Sequence, residues 1–116
     1  MYSIGVDIGG SKIAAGVVGE DFKLISKKSL PFPHTGEPKD SIATIQTLIS
    51  GLVAENGLKT EDISAIGLAV PGSIDYDRGV VIDAHNLDYH GFPLCKLIGD
   101  LFPGIKVYVE NDANAA

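Results

Sequence analysis

The chain has 116 residues, 45% hydrophobic and 21% charged, which is enough apolar side chain for one packed core and too much for a disordered segment. Nine basic residues stand against fifteen acidic ones, a net charge of −6, and Lys27-Lys28 is the only basic cluster, so a nucleic-acid partner is not expected. Cys95 is the single cysteine, which excludes an internal disulfide and fits a cytoplasmic protein; no apolar run reaches membrane-spanning length, and the amino terminus has no signal-peptide pattern.

Taken in chain order, apolar runs predict strands over residues 2–7 and 12–18, joined by a hairpin turn at Gly9-Gly10. A third strand is expected over 22–30, with the weak alternation of a sheet edge. Pro31, Pro33 and Gly36 then break the pattern into a loop. Ile42, Ile45, Leu48, Ile49, Leu52 and Val53 recur at helical spacing, and Asn56-Gly57 supplies a stop. Residues 63–70 are almost all apolar or small, as in a strand buried on both faces, and Pro71-Gly72 ends it. A turn over 75–79 separates two short extended pieces, the second at 80–82, and a loop is expected over 84–92. A short helix over 93–102 starts at Pro93 and stops at Pro103-Gly104. A last strand spans 105–109, Glu110-Asn111-Asp112 follows it, and another helix begins at 113–116. This β-β-β-α-β-α-β order calls for an α/β fold, a mixed five-stranded sheet with helical layers.

Chemistry concentrates in the segment Asp7-Ile8-Gly9-Gly10-Ser11-Lys12. Glycines let a backbone take positive φ and let a ligand approach it, and successive N–H groups in such a turn make an anion site. A carboxylate precedes the turn, and a hydroxyl and an ammonium follow it, a set suited to a phosphate and the water shell of its Mg²⁺. The spacing is not that of a Walker loop. An ordinary Gly-Gly hairpin with polar neighbours accounts for the same residues. In open α/β sheets, ligands collect at the carboxyl ends of parallel strands. Asp7, Pro71-Gly72 and Asn111-Asp112 each end an apolar strand, so parallel pairing of these strands would gather all three. Singly, each has a plain structural role: Asp7 as a hairpin cap, Pro71-Gly72 as a turn, Asp112 as a helix N-cap.

With these motifs in place, the chain resembles the amino-terminal lobe of the ROK family. DIGGSK at 7–12, GLAVPGSID at 67–75, HNLDYHGFPL at 85–94 and ENDANAA at 110–116 stand in family order and spacing over essentially the whole chain. Ser11 replaces the family's usual Thr and keeps the hydroxyl. The resemblance implies the actin-like, ribonuclease-H-like ATPase fold. It also implies ATP and Mg²⁺ as cofactors and a sugar as substrate. Asp7, Gly9, Gly10, Ser11 and Lys12 match the phosphate loop, with Asp7 ordering Mg²⁺ through water rather than ligating it. Lys12 either adds charge there or points to solvent. Asp112 matches the catalytic base, Asn111 a residue that hydrogen-bonds sugar hydroxyls, and Gly72 the glycine whose backbone approaches the sugar. Asn86 lies in a family loop near the sugar cleft, without an assigned role. His85 and His90, with Asp88 between them, read as a solvated loop; the structural zinc of many family members belongs to the other lobe.

The resemblance further implies a second lobe beyond this chain, supplying the adenosine pocket, further sugar contacts and the surface of a homo-oligomer. The chain alone is then expected to hold half a cleft, to be inactive, and to expose apolar sheet. Three functions fit: a glucokinase-like sugar kinase lobe, a sugar-sensing ROK regulator, or a non-catalytic fragment. Met1 lies six residues before Asp7, so the kinase is expected over a regulator carrying a helix-turn-helix ahead of this motif. A retained base at Asp112 favours the kinase over a relic.

Overall fold

A computed structural model describes residues 1–112. The chain opens with β1 (Tyr2–Ile8), β2 (Lys12–Val18) and β3 (Leu24–Pro31), followed by helix α1 (Asp40–Glu55). Next come β4 (Ile63–Val70), β5 (Ser73–Asp75), β6 (Val80–Ala84) and β7 (Tyr89–Phe92). Helix α2 (Leu94–Leu101) and β8 (Lys106–Asn111) complete the described fold. The main sheet has five strands in the order β3-β2-β1-β4-β8. The first three strands form an antiparallel meander, while β1, β4 and β8 run parallel to one another. This is the α/β arrangement expected from the order of elements, with the three motif-bearing strands as parallel neighbours.

One face of the sheet carries the core. Ile4, Val6 and Ile8 of β1, Ile13, Ala15 and Val17 of β2, and Ile66, Leu68 and Val70 of β4 are all buried. They join Ile45, Leu48, Ile49 and Leu52, the i, i+3, i+4, i+7 stripe of α1, and Leu94 and Ile98 of α2, in one apolar cluster. The opposite face is almost bare. Gly16, Gly5 and Gly67 lie in register across β2, β1 and β4, flanked by Lys27 and Tyr108. The rings and methyls of Tyr108 and Leu24 lean over these glycines, closing to 3.1 and 2.7 Å of where Cβ atoms at Gly67 and Gly16 would stand.

Three expectations are corrected. The third strand begins at Leu24, because Phe22, 91% exposed with φ 61°, sits in the preceding turn. The last strand runs on to Asn111, so Glu110 and Asn111 belong to the ladder and do not follow it. The stretch 84–92 is not a plain loop: a single 3₁₀ turn, His85–Leu87, leads into β7, and β5, β6 and β7 form a second, three-stranded sheet. The apolar residues of β7 are Tyr89 and Phe92, three apart, so a two-residue alternation never shows in the sequence there. The helix expected over 113–116 lies outside the described residues.

The second sheet is anchored by Tyr89, which is fully buried and stacks on Phe92 with ring centroids 4.3 Å apart. Its hydroxyl lies 2.6 Å from Ser41 Oγ, and Ser41, at the start of α1, donates to the Pro38 carbonyl at 2.6 Å. Ser41 is the one buried polar side chain among the described residues, so this link ties the second sheet to the helix layer.

Burial pushes the Tyr89 phenol from 10.0 up to about 12. The native state then keeps a proton that the unfolded chain releases at lower pH. This contribution is whole below pH 10.0 and is lost as the pH climbs toward about 12. Urea midpoints measured across that interval should fall more steeply for the wild-type chain than for Tyr89→Phe, and parallel curves would refute the assignment.

Candidate functional site

Strand register brings the motifs together. Asp7 pairs with Ala69, and Ala69 with Glu110, so Asp7 and Glu110 occupy one row on the bare face of the sheet. Two strand spacings put their Cα atoms about 10 Å apart. Val70 pairs with Asn111, so β1, β4 and β8 all end at the same edge of the sheet. Glu110 was not singled out in the sequence, where it read only as the first residue after a strand. Its place in the ladder, two residues beyond Tyr108, is what turns it to the bare face.

The double-glycine turn has a tight internal geometry. The Gly9 N–H donates to the Lys12 carbonyl at 3.0 Å and closes the hairpin. That amide is therefore committed within the protein. The N–H groups of Gly10 and Ser11 have no acceptor among the described residues. Neither Gly9 nor Gly10 adopts positive φ, which corrects the expectation drawn from left-handed backbone. Space is tight at Gly9 and ordinary at Gly10. A Cβ at Gly9 would stand 3.2 Å from the Lys12 carbonyl, and one at Gly10 would stand 3.4 Å from Asn86 Cβ. Ser11 and Lys12 are exposed, and Lys12 lies on the bare side of β2 without an ion pair among the described residues.

Gly72 follows β4 with φ 133°, and a Cβ there would come within 2.2 Å of the Asp83 carbonyl on β6. No side chain fits that gap. The Gly72 carbonyl accepts a hydrogen bond from Asn111 Nδ2 at 2.6 Å. The motif ending β8 thus grips the motif ending β4. Asp112 follows directly and is exposed. The 3₁₀ turn holding Asn86 packs on Gly10, so the phosphate-type turn and the 85–88 segment are in contact. His85 and His90 take separate positions: His85 opens that turn, and His90 Nδ1 pairs with Asp83 Oδ1 at 2.7 Å across the β6–β7 ladder. Cys95 packs under Gly79, and burial pushes its thiol up, away from thiolate chemistry.

At one sheet edge the chain therefore presents two carboxylates in a row, two amides without an acceptor among the described residues, a hydroxyl, an ammonium, and an Asn–Gly clamp beside a further carboxylate. Such a set suits a phosphate chain on one side and a polyol on the other. A mixed sheet in the order 3-2-1-4-8, with polar groups at the ends of its parallel strands, belongs to the actin-like, ribonuclease-H-like class. Residues 3–116 match the ROK family model, and the chain belongs to that family.

The chain is 39% identical to a glucokinase of Streptomyces coelicolor over 114 residues, covering 98% of this chain and 33% of that enzyme. It is 32% identical to an N-acetylmannosamine kinase of Escherichia coli, covering all of this chain and 38% of the relative. The fold superposes on a ROK family glucokinase of Streptomyces griseus, in complex with glucose and AMPPNP, with a TM-score of 0.84 at 36% identity, over 99% of this chain and 34% of that one. The chain thus spans about a third of the length of the curated relatives it matches first. No helix among the described residues is long and apolar enough to cross a membrane.

Gly72→Ala should lower stability by on the order of 3 kcal/mol, because strain at positive φ adds to a collision with backbone. Thermal melting measures this, and an unchanged midpoint would remove the steric argument.

Proposed function

We propose that the chain is the amino-terminal lobe of an ATP-dependent sugar kinase of the cytoplasm, acting on a hydroxyl of a hexose or N-acylhexosamine. The observation that carries this reading is the gathering of the three strand-end motifs at one edge, with Asn111 on Gly72 and Asp7 in one row with Glu110, and with Asn86 against the Gly10 turn. Relatives named for glucose and for N-acetylmannosamine phosphorylation support the substrate class. The lobe would work with a second lobe that completes the nucleotide and sugar pockets and carries the homo-oligomer surface.

In this reading Asp112 accepts the proton of the attacking sugar hydroxyl as the phosphoryl group arrives, and Asn111 and the Gly72 backbone set that hydroxyl in line. Asn111 serves two ends at once. Its amide N–H holds the Gly72 carbonyl, and its position places it beside the base. The amides of Gly10 and Ser11, with the Ser11 hydroxyl, receive the ATP phosphates, and Lys12 offsets their charge from the same face. An exposed carboxylate and hydroxyl are hard oxygen donors that fit the water shell of Mg²⁺, which would be held near Asp7 and Ser11. When bound, the ion neutralises phosphate charge. An overall charge of −6 repels ATP, so local amides and the cation must do the attracting. Positioning contributes more than basicity, since the phosphoryl transition state is loose.

Half a cleft does not exclude water or align the groups. The 116-residue chain alone is therefore expected to show no sugar-dependent ADP release in a coupled assay with hexoses; steady turnover would overturn the two-lobe reading. In a protein carrying both lobes, Asp112→Asn should lower kcat by about 10²- to 10⁴-fold while leaving the sugar KM nearly unchanged. Survival of phosphorylation would remove Asp112 as the base.

A further inference from the structure

We propose that His34 is a positioning residue for the phosphate turn: it holds the Gly10 carbonyl and thereby aims the Ser11 amide at the anion. The proposal rests on the kinase reading for the identity of the anion, and on local geometry for everything else. His34 Nε2 lies 2.5 Å from the Gly10 carbonyl oxygen. A carbonyl only accepts, so Nε2 carries the hydrogen and donates it. Across a planar trans peptide, the carbonyl and the next N–H point in opposite directions. Fixing the Gly10 carbonyl toward His34 therefore fixes the Ser11 N–H away from it, on the side where no described residue accepts it.

The following peptide is held from the same segment. The Phe32 N–H donates to the Ser11 carbonyl at 3.0 Å. Both peptide planes that flank Ser11 are thus set by residues 32–34. A turn built on two adjacent glycines has little stiffness of its own, so its donors point one way only if something outside the turn holds it. His34 is exposed, but its ring is braced by Phe32, with centroids 4.9 Å apart. Phe32 is buried, 6.4 Å from the ring of Tyr89, which is itself locked to Ser41. A continuous path runs from the core through Phe32 and His34 to the amide. Donors held before the ligand arrives need no reorganisation when charge appears, and this is how backbone amides become effective at phosphate.

The test uses the isotopically labelled 116-residue chain as wild type, His34→Ala and His34→Gln, the last offering an amide N–H at similar reach. Without ligand, His34→Ala should shift the Gly10 carbonyl carbon and the Ser11 amide nitrogen, and His34→Gln should keep both near wild type. Titration with magnesium tripolyphosphate should move the Gly10 and Ser11 amides. His34→Ala should weaken that binding roughly tenfold, as expected for one hydrogen bond that orients a donor to an ionic group, and His34→Gln should restore most of it. Thermal melting of the two variants should stay near wild type, since the ring is exposed. Unchanged resonances in His34→Ala overturn the proposal. So does a His34→Gln variant with wild-type resonances but the weak binding of His34→Ala, which would mean that the ring meets the anion itself. If the wild-type chain binds no tripolyphosphate, the phosphate reading fails, and the positioning role is then decided by the ligand-free resonances alone.

Discussion

The parallel ladder of β1, β4 and β8 is the constraint on which the remaining architecture depends. Parallel pairing makes all three strands run the same way, so each motif that ends a strand arrives at the same edge. Register then decides which residues face each other. Asp7, Ala69 and Glu110 share a row, and Val70 stands beside Asn111. A slip of one residue in β8 would send Glu110 into the core and carry Asn111 away from the Gly72 carbonyl. Val109, buried on the core face of β8, opposes such a slip, because the slip would turn it out to the bare face. Packing on one face thus specifies chemistry on the other.

Glycine has two separate uses in this lobe. At Gly72 the backbone takes a conformation that other residues adopt only with strain, and the space beside it is already filled by β6. At Gly9 and Gly10 the conformation is ordinary, and a Cβ would be crowded only at Gly9. Closure of the hairpin uses one amide and leaves the next two for a ligand. Because such a turn is intrinsically loose, the contacts that surround it matter as much as its own residues. Asn86 presses on it from one side, and the 32–34 segment holds its carbonyls from another.

The small sheet of β5, β6 and β7 acts as the connector between these parts. It begins immediately after Gly72, carries Asp83 against that glycine, and delivers Asn86 to Gly10. Tyr89 roots it in the core through Phe92, Phe32 and Ser41. Its second half, which reads as loop in the sequence, therefore couples the Gly72 motif to the double-glycine turn.

The main sheet, both helices and the strand-end motifs were legible in the sequence, because they rest on local signals: long apolar runs, a helical stripe in α1, and Pro or Gly at the breaks. The family could be read from four short motifs in order. Tertiary structure alone decided the rest. The two short extended pieces beside the 75–79 turn were legible, but β7 and the joining of β5, β6 and β7 into a sheet were not, because β7 has four residues, too few for a period to emerge, and is held by rings buried against distant segments. The row joining Asp7 to Glu110 is a matter of register between strands over a hundred residues apart, which no local pattern encodes. The same holds for the Asn111–Gly72 bond and for the contact of His34 with Gly10, where residues far apart in sequence meet only because packing of the core brings their backbones to one edge.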